Sequence, residues 1–390
     1  MYLKKLYFLA IFLISLQSFG QSVLLESAEI SILTIGPGTN LNDSFGHSAI
    51  RIKNGKEDIV YGYGLYDFDT PNFYTKFVQG KLNYLMSKNE YRQFENTYRY
   101  YNRSIKEQVL DLNTQEKNTY YKYILNNYKP ENRAYLYDFF YDNCATRIPA
   151  VTNNILNNTI KYSTPKNYTP KTFRTLIQDE LNRNSWGSFG IDLALGSKID
   201  QLATEKEHMF LPKNVFSFFE VASLNNKPLV KNSKVIFEAK PKTKNTLILL
   251  ICSPLVICLL LALLIIYRTV KDYKLNIRSR YLDIAILTFT GLIGVLLLLL
   301  WFATDHTMTA YNYNLLWAFP FNLLLLKAML KRKPSIIVSK YYMFLILMLV
   351  LTCMHWIVGV QRFAPTLLPI VIALLIRSTF VFWFVKKQVN

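Results

Sequence analysis

Polar and apolar positions divide this chain into two halves that meet near Lys244. Beyond that point residues 247–266, 282–302 and 336–358 are long apolar runs with little or no charge, the pattern of membrane-spanning helices. Before it the alternation is short-range. Residues 28–35 form an apolar, β-rich run closed by Gly36-Pro37-Gly38. Residues 48–53 alternate into Asn54-Gly55 and residues 58–63 return, which predicts a hairpin turning on Asn54-Gly55. Helical spacing at 90–101 and 114–128 brackets an expected strand at 104–112. Residues 133–140 are aromatic and extended. Asp142-Asn143 then starts a helix that puts Cys144 at its N-terminus and runs to Leu156 in spite of Pro149. A capping signal and a first-turn proline open a helix over 169–181, short helices follow to Phe219, and 228–239 is extended.

Composition sharpens the division. The chain of 390 residues is 51% hydrophobic yet carries a net charge of +19, so it is not one uniform globule. Lys4 and Lys5, an apolar core over 6–16 and the small residues Ser18 and Gly20 have the layout of an export signal, with cleavage expected before Gln21. With the mature N-terminus outside, a first span over about 246–267 leads to Arg268, Lys271, Lys274, Arg278 and Arg280 inside. The return span reaches Asp305 and His306 in an outer loop without lysine or arginine through Asn314. A third span ends at Lys327, Lys331, Arg332 and Lys333, a fourth leads to an outer loop holding Arg362, and a fifth ends at Lys386 and Lys387. The expected layout is a signal at 1–20, a secreted domain at 21–245 and a five-span bundle at 246–390. Basic loops beside an anionic membrane surface account for much of the excess charge, and no nucleic-acid motif is present.

Cys252, Cys258 and Cys353 fall in the expected spans, which leaves Cys144 as the lone thiol of the secreted domain. A lone cysteine is more often a small core residue than a nucleophile. A helix N-terminus, however, lowers a thiol's pKa, and a nucleophilic cysteine also needs a base that titrates near neutrality. The secreted domain offers His47, at a strand start beside the hairpin, and His208, in an expected loop. Arg51 lies on the same face of the strand as His47, as a substrate contact or a solvated charge. Asp305 and His306 at an outer helix end, with His355 and Arg362, mark a docking site or interfacial caps. Neither half offers a three-ligand metal cluster, and no cofactor is called for.

The motif Ser44-Phe45-Gly46-His47-Ser48-Ala49-Ile50-Arg51, the Asn54-Gly55 turn and Ile59-Val60-Tyr61-Gly62-Tyr63 resemble the histidine hairpin of circularly permuted papain-like enzymes. Asp142-Asn143-Cys144-Ala145-Thr146 resembles their cysteine helix start. That group includes the lecithin:retinol acyltransferase type and relatives of the NlpC cell-wall peptidases. With Asp305-His306 and Asn312-Tyr313-Asn314-Leu315-Leu316-Trp317 in a following bundle, nearly the whole chain resembles the Lnb-type lipoprotein N-acyltransferases. The resemblance implies an α+β, NlpC-like secreted domain ahead of an α-helical bundle of about five spans. It implies transfer of an acyl chain from a membrane phospholipid, through a Cys144 thioester, to the α-amino group of a diacylated lipoprotein. Cys144 and His47 would be the dyad, Tyr61 or Tyr63 the group orienting the base, Asn143 an oxyanion donor, and Arg51, Arg147, Asp305 and His306 substrate contacts. A tethered cysteine peptidase or amidase of the cell envelope, or a non-enzymatic membrane sensor, stays open on the residues alone.

Overall fold

The computed structural model describes residues 24–241, 246–331 and 335–389. The export signal, Lys244, Arg332 and Lys333 lie outside them. The strands expected at 28–35, 48–53, 58–63 and 104–112 form as β1 (Glu29–Ile35), β2 (His47–Asn54), β3 (Glu57–Leu65) and β5 (Ile105–Leu110). The sequence pattern missed helix α1 (Phe73–Val78) and strand β4 (Asn83–Glu90); β6 (Ala134–Leu136) is a short piece of the aromatic stretch. Helices α2 (Tyr91–Tyr100) and α3 (Thr114–Asn127) lie where their spacing predicts. Asn113 and Glu116 cap α3 reciprocally.

The hairpin turn is displaced by one residue. Asn54 pairs with Glu57, so the loop is Gly55-Lys56, and positive φ occurs at Gly55 (61°) but not at Lys56, as a type II′ turn requires. Helix α4 (Arg147–Ile155) begins three residues after Cys144, and Pro149 is tolerated because a first-turn residue has no intrahelical N–H partner to lose. In α5 (Phe173–Glu180) the cap is Thr172, later than the expected Thr169-Pro170 start. Then come α6 (Trp186–Ala194), α7 (Glu205–His208) and α8 (Pro212–Glu220). A minor sheet joins β7 (Ile160–Lys161), β8 (Ser223–Leu224) and β9 (Lys227–Pro228), and β10 (Val230–Phe237) returns to the main sheet.

That sheet is antiparallel, in the order β10-β5-β1-β2-β3-β4-β6. Its two faces are covered differently. Ile30, Ile32, Ile50, Ile52, Tyr61 and Tyr63 point into the main core under α3, α4 and α8, while Leu33, Ile35, Ala49 and Val60 meet Phe94 of α2 on the other face. Both faces are therefore buried around β1 and β2, with each large apolar side chain contributing about 1.5–3 kcal/mol. This fixes the register on which the site depends.

Among the described residues the membrane part has four long apolar helices and one bent pair. After α9 (Thr246–Ile251), the first span begins at Pro254 rather than near 246, as α10 (Pro254–Leu275), so Cys252 lies exposed ahead of the span. Helices α11 (Arg280–Phe302), α13 (Ile336–Val358) and α14 (Leu368–Val389) are continuous. The expected third span is instead a chain of tight turns ending in α12 (Leu326–Leu330), bent by 45° between Thr307–Leu316 and Pro320–Leu330. It fits against glycines of α11: a β-carbon on Gly294 would lie 2.3 Å from the Ala318 carbonyl oxygen. Asn322 donates to Thr290 and accepts from the Tyr341 hydroxyl, both at 2.8 Å. Irregular backbone at membrane depth is tolerated where neighbouring helices enclose it. At the end away from the secreted domain, Arg377 joins Asp272 of α10 (2.8 Å) and Asp283 of α11 (2.6 Å).

Among the described residues, the hydrogen bonds to the secreted domain come from the opposite end. Trp186 Nε1 donates to the Cys252 carbonyl (2.8 Å), Asn312 Nδ2 donates to Leu193 O (2.8 Å), and Arg362 N donates to Asp200 Oδ2 (3.3 Å). Basic loops and the secreted domain thus occupy opposite ends of the bundle, as charge counting predicts.

Candidate active site

The β2–β3 ladder runs from Asn54↔Glu57 to Ala49↔Gly62 and then stops. Gly46, at φ +84°, turns the chain into β2, where a β-carbon would lie 2.6 Å from the Ile35 carbonyl. The next residue is His47. Its ring lies over Gly62: a β-carbon there would be 3.3 Å from His47 Nε2 and 3.1 Å from Ser87 Oγ. Beyond the end of the ladder the backbone N–H of Ser48 faces the Cys144 sulfur. The histidine strand and the cysteine turn, nearly a hundred positions apart, thus meet where β2 and β3 part.

Asn143 builds the turn. Its side-chain oxygen accepts from Ala145 N (2.7 Å) and Thr146 N (2.9 Å), and its amide donates to Phe139 O (2.6 Å) and Phe210 O (3.0 Å). With its amide so occupied, Asn143 holds Cys144 in place and is not free to stabilise an oxyanion. The donors turned to the sulfur are backbone groups, the N–H of Ser48, Cys144 and Ala145.

Both reactive side chains keep a partly accessible edge. Burial draws the His47 imidazole down to about 4, and the Arg103 guanidinium adds to the shift. The ring is neutral at neutral pH and free to accept a proton. Burial also pushes the Cys144 thiol up; the Ser48 and Cys144 N–H groups, the Arg103 charge and the Ala145 N–H oppose it without cancelling it. This corrects the expectation of a lowered thiol pKa. A helix terminus aids a thiolate, but desolvation outweighs it in a site with no anion present. At rest the thiol and the imidazole are both neutral.

Arg103 was missed in the sequence. It follows Asn102, which is in the left-handed conformation at the turn from α2 into β5. Its Nε donates to Gly36 O (2.9 Å), the guanidinium lies 5.0 Å from the Tyr98 ring, and its buried Nη2 has no partner among the described residues. No motif announces it, because only the folded sheet carries it to the cysteine.

Tyr61 does not orient His47. It pairs with Ile50 and faces the main core, whereas the ring of His47 lies over Gly62 on the other face. Tyr63 also points into the core, where its hydroxyl donates to Asn127 Oδ1 (2.5 Å). The polar side chain on the histidine's own face is Ser87, whose hydroxyl donates to Gly62 O (3.2 Å). Arg147 is held by Asp142 through two bonds of 2.6 and 2.7 Å and stacks 3.9 Å from the Tyr135 ring. Arg51 does share His47's face, but it is buried between Asp58 and Glu107 under the Tyr91 ring. Arg51 is enclosed by these partners, and Arg147 is already engaged by Asp142 and Tyr135.

His208, expected in a loop, is buried in α7, with Nδ1 2.8 Å from Thr204 O. Asp305 and His306 form part of a joint between the two halves: Asp305 N donates to Gln79 O (2.8 Å) and His306 Nε2 donates to Val78 O (3.0 Å). Thr307 donates to Asp138 in the segment leading to Cys144. Among the described residues no group of three or more His, Cys, Asp or Glu could hold a metal ion.

Residues 16–179 match the family model of the Lnb N-terminal periplasmic domain, and residues 244–388 match that of the Lnb transmembrane domain. Among the curated proteins and the solved structures nothing matches.

Proposed function

This chain belongs to the Lnb family, and from that premise we propose that it is a lipoprotein N-acyltransferase of the bacterial inner membrane working through a Cys144 thioester. It is a multi-pass membrane protein with a periplasmic domain. The observation that supports the reading is the fork of β2 and β3, where the backbone N–H of Ser48, the residue after His47, reaches the Cys144 sulfur on a domain joined to the outer end of the bundle.

In the proposed reaction His47 takes the proton of Cys144 as the sulfur attacks an ester carbonyl of a phospholipid. The new C–S bond replaces the C–O bond, and the proton passes from His47 to the departing glycerol oxygen, releasing a lysophospholipid. The α-amino group of a diacylglyceryl-cysteine then attacks the thioester. His47 accepts the amine proton and returns it to the leaving sulfur. The backbone N–H groups around Cys144 and the open side of Arg103 supply positive charge as the thiolate and oxyanion develop. Both substrates lie in one bilayer, which raises their effective concentration at the site.

The test is mass spectrometry of a lipoprotein N-terminus in cells with the gene, without it, and with Cys144→Ser. Expected are N-acylated peptide in the first and free α-amines in the other two, with the variant present in the membrane at normal level. N-acylated product from Cys144→Ser sinks the thioester mechanism. A changed cell-wall peptide profile with unchanged lipoproteins favours a peptidase.

A further inference from the structure

Between β3 and β4 the chain leaves the sheet for a segment that the reaction above does not use. Its helix α1 turns Tyr74, Phe77 and Val78, spaced i, i+3, i+4, outward on one face, where Tyr74 is 77% and Phe77 50% exposed. Exposed apolar side chains grouped in this way mark a contact surface. What covers them follows from the joint beneath. Val78 O and Gln79 O, at the end of α1, are bonded to His306 and Asp305, only a few residues beyond Phe302, where the span α11 ends. A β-carbon on Gly80 would lie 3.2 Å from the His306 ring, so the approach is close. At the same level Trp301 stacks on Phe302 (4.7 Å) and meets Tyr311 (5.3 Å), an aromatic belt of the kind found where a span leaves the hydrocarbon.

From this surface a line of rings leads inward. Phe77 stacks on Phe73 (6.2 Å), Phe73 meets Tyr66 (5.9 Å), Tyr66 meets Tyr84 (5.4 Å), and Tyr84 stacks on Tyr137 (4.3 Å). Tyr84 and Tyr137 pack against the same core as Cys144, and after burial the largest influence raising the Tyr137 hydroxyl comes from Cys144.

We propose that residues 66–80 form a membrane-inserted portal: the Tyr74-Phe77-Val78 face of α1 sits in the outer leaflet, and the ring line from Phe73 to Tyr137 guides a phospholipid acyl chain to Cys144. The membrane contact stands on the geometry alone; the guidance to Cys144 rests on the proposed acyl transfer.

The experiment uses the full chain in phosphatidylethanolamine/phosphatidylglycerol vesicles, with photoreactive p-benzoylphenylalanine replacing Tyr74 or, as a control, Leu25. Leu25 is exposed beside the hairpin turn, at the far end of β3, roughly 26 Å along the strand from the portal. Phospholipid adducts are expected from position 74 and not from 25; no adduct at 74, or equal adducts at both, overturns the inference. In the double variant Tyr74→Asp/Phe77→Asp, S-acylation of Cys144 by vesicle lipid is expected to slow about tenfold, while its alkylation by water-soluble iodoacetamide stays unchanged. Unchanged S-acylation overturns the guiding role. Adducts at 74, together with a wild-type protein that never becomes S-acylated in the same vesicles, would sink the acyltransferase reading and leave the membrane contact standing.

Discussion

Two buried arginines in the secreted domain, about one sheet apart in role, make an instructive pair. Arg51 is closed on every side: Asp58 takes it in two bonds, Glu107 in a third, and the Tyr91 ring lies 3.3 Å away. Glu107 is itself tied to Ser31 and Lys234, so the cluster ties β1, β2, β3, β5 and β10 together. Arg103 has one backbone acceptor, an aromatic neighbour, and an unpartnered Nη2 near a thiol and an imidazole that are both neutral at rest. A closed cluster holds charges that already exist, whereas an open arginine faces a place where negative charge will appear. The first serves the fold, and the second would serve the proposed reaction.

Substitutions should separate the two. Arg51→Met leaves Glu107 and Asp58 without their main counter-charge, and loss of one partner from a buried pair costs about 3–5 kcal/mol. The expected result is a large fall in the stability of the full chain in denaturant or heat, with the pH dependence of Cys144 alkylation unchanged in the protein that remains folded. Arg103→Met should do the reverse. Melting shifts little, S-acylation slows on the order of 100-fold as for loss of one oxyanion donor, and alkylation of Cys144 moves to higher pH, with Arg103→Lys recovering part of both. Equal melting losses in Arg51→Met and Arg103→Met, with no movement of the alkylation curve, would erase the distinction.

The smallest effect concerns His47. Its pKa falls from the ordinary 6.5 in the unfolded chain to about 4 in the fold. Between those values the unfolded chain binds a proton that the folded one refuses. The stability is therefore full above pH 6.5, falls as the pH drops, and levels off near 4. With the ring partly open to solvent, the loss is about 2 kcal/mol. The melting temperature of the wild type should fall more steeply than that of His47→Gln from pH 7 to 4, and parallel curves would contradict a buried neutral imidazole.

How much of this was legible in the sequence depended on whether the information was local. The His47 hairpin, the Cys144 turn and the opposed placement of basic loops are written in neighbouring residues. The turn at Gly55-Lys56 slipped by one because Asn54 completes the strand pair with Glu57. The third span was legible, but its 45° bend was not, because Asn312 and Asn314 are satisfied by α6 and Asn322 by α11 and Tyr341, partners no local pattern contains. Tyr61 misled for a similar reason: alternation gives the face of a residue relative to its own strand, while the His47 ring, at the strand start, lies over Gly62. Arg103 and the portal could be found only after folding.

The joint at Gly196 carries a last consequence. A β-carbon there would fall 1.9 Å from the Ala310 carbonyl, and Gly196 N donates to Met308 O at 2.9 Å. With the backbones of the two halves in direct contact here, the secreted domain could rise or tilt above the bundle only by breaking this joint. While the joint holds, the height of the sulfur above the bundle is fixed. Under the proposed acyl transfer, depth would act as a gauge, and the bond that reacts would be the one a lipid presents at that level.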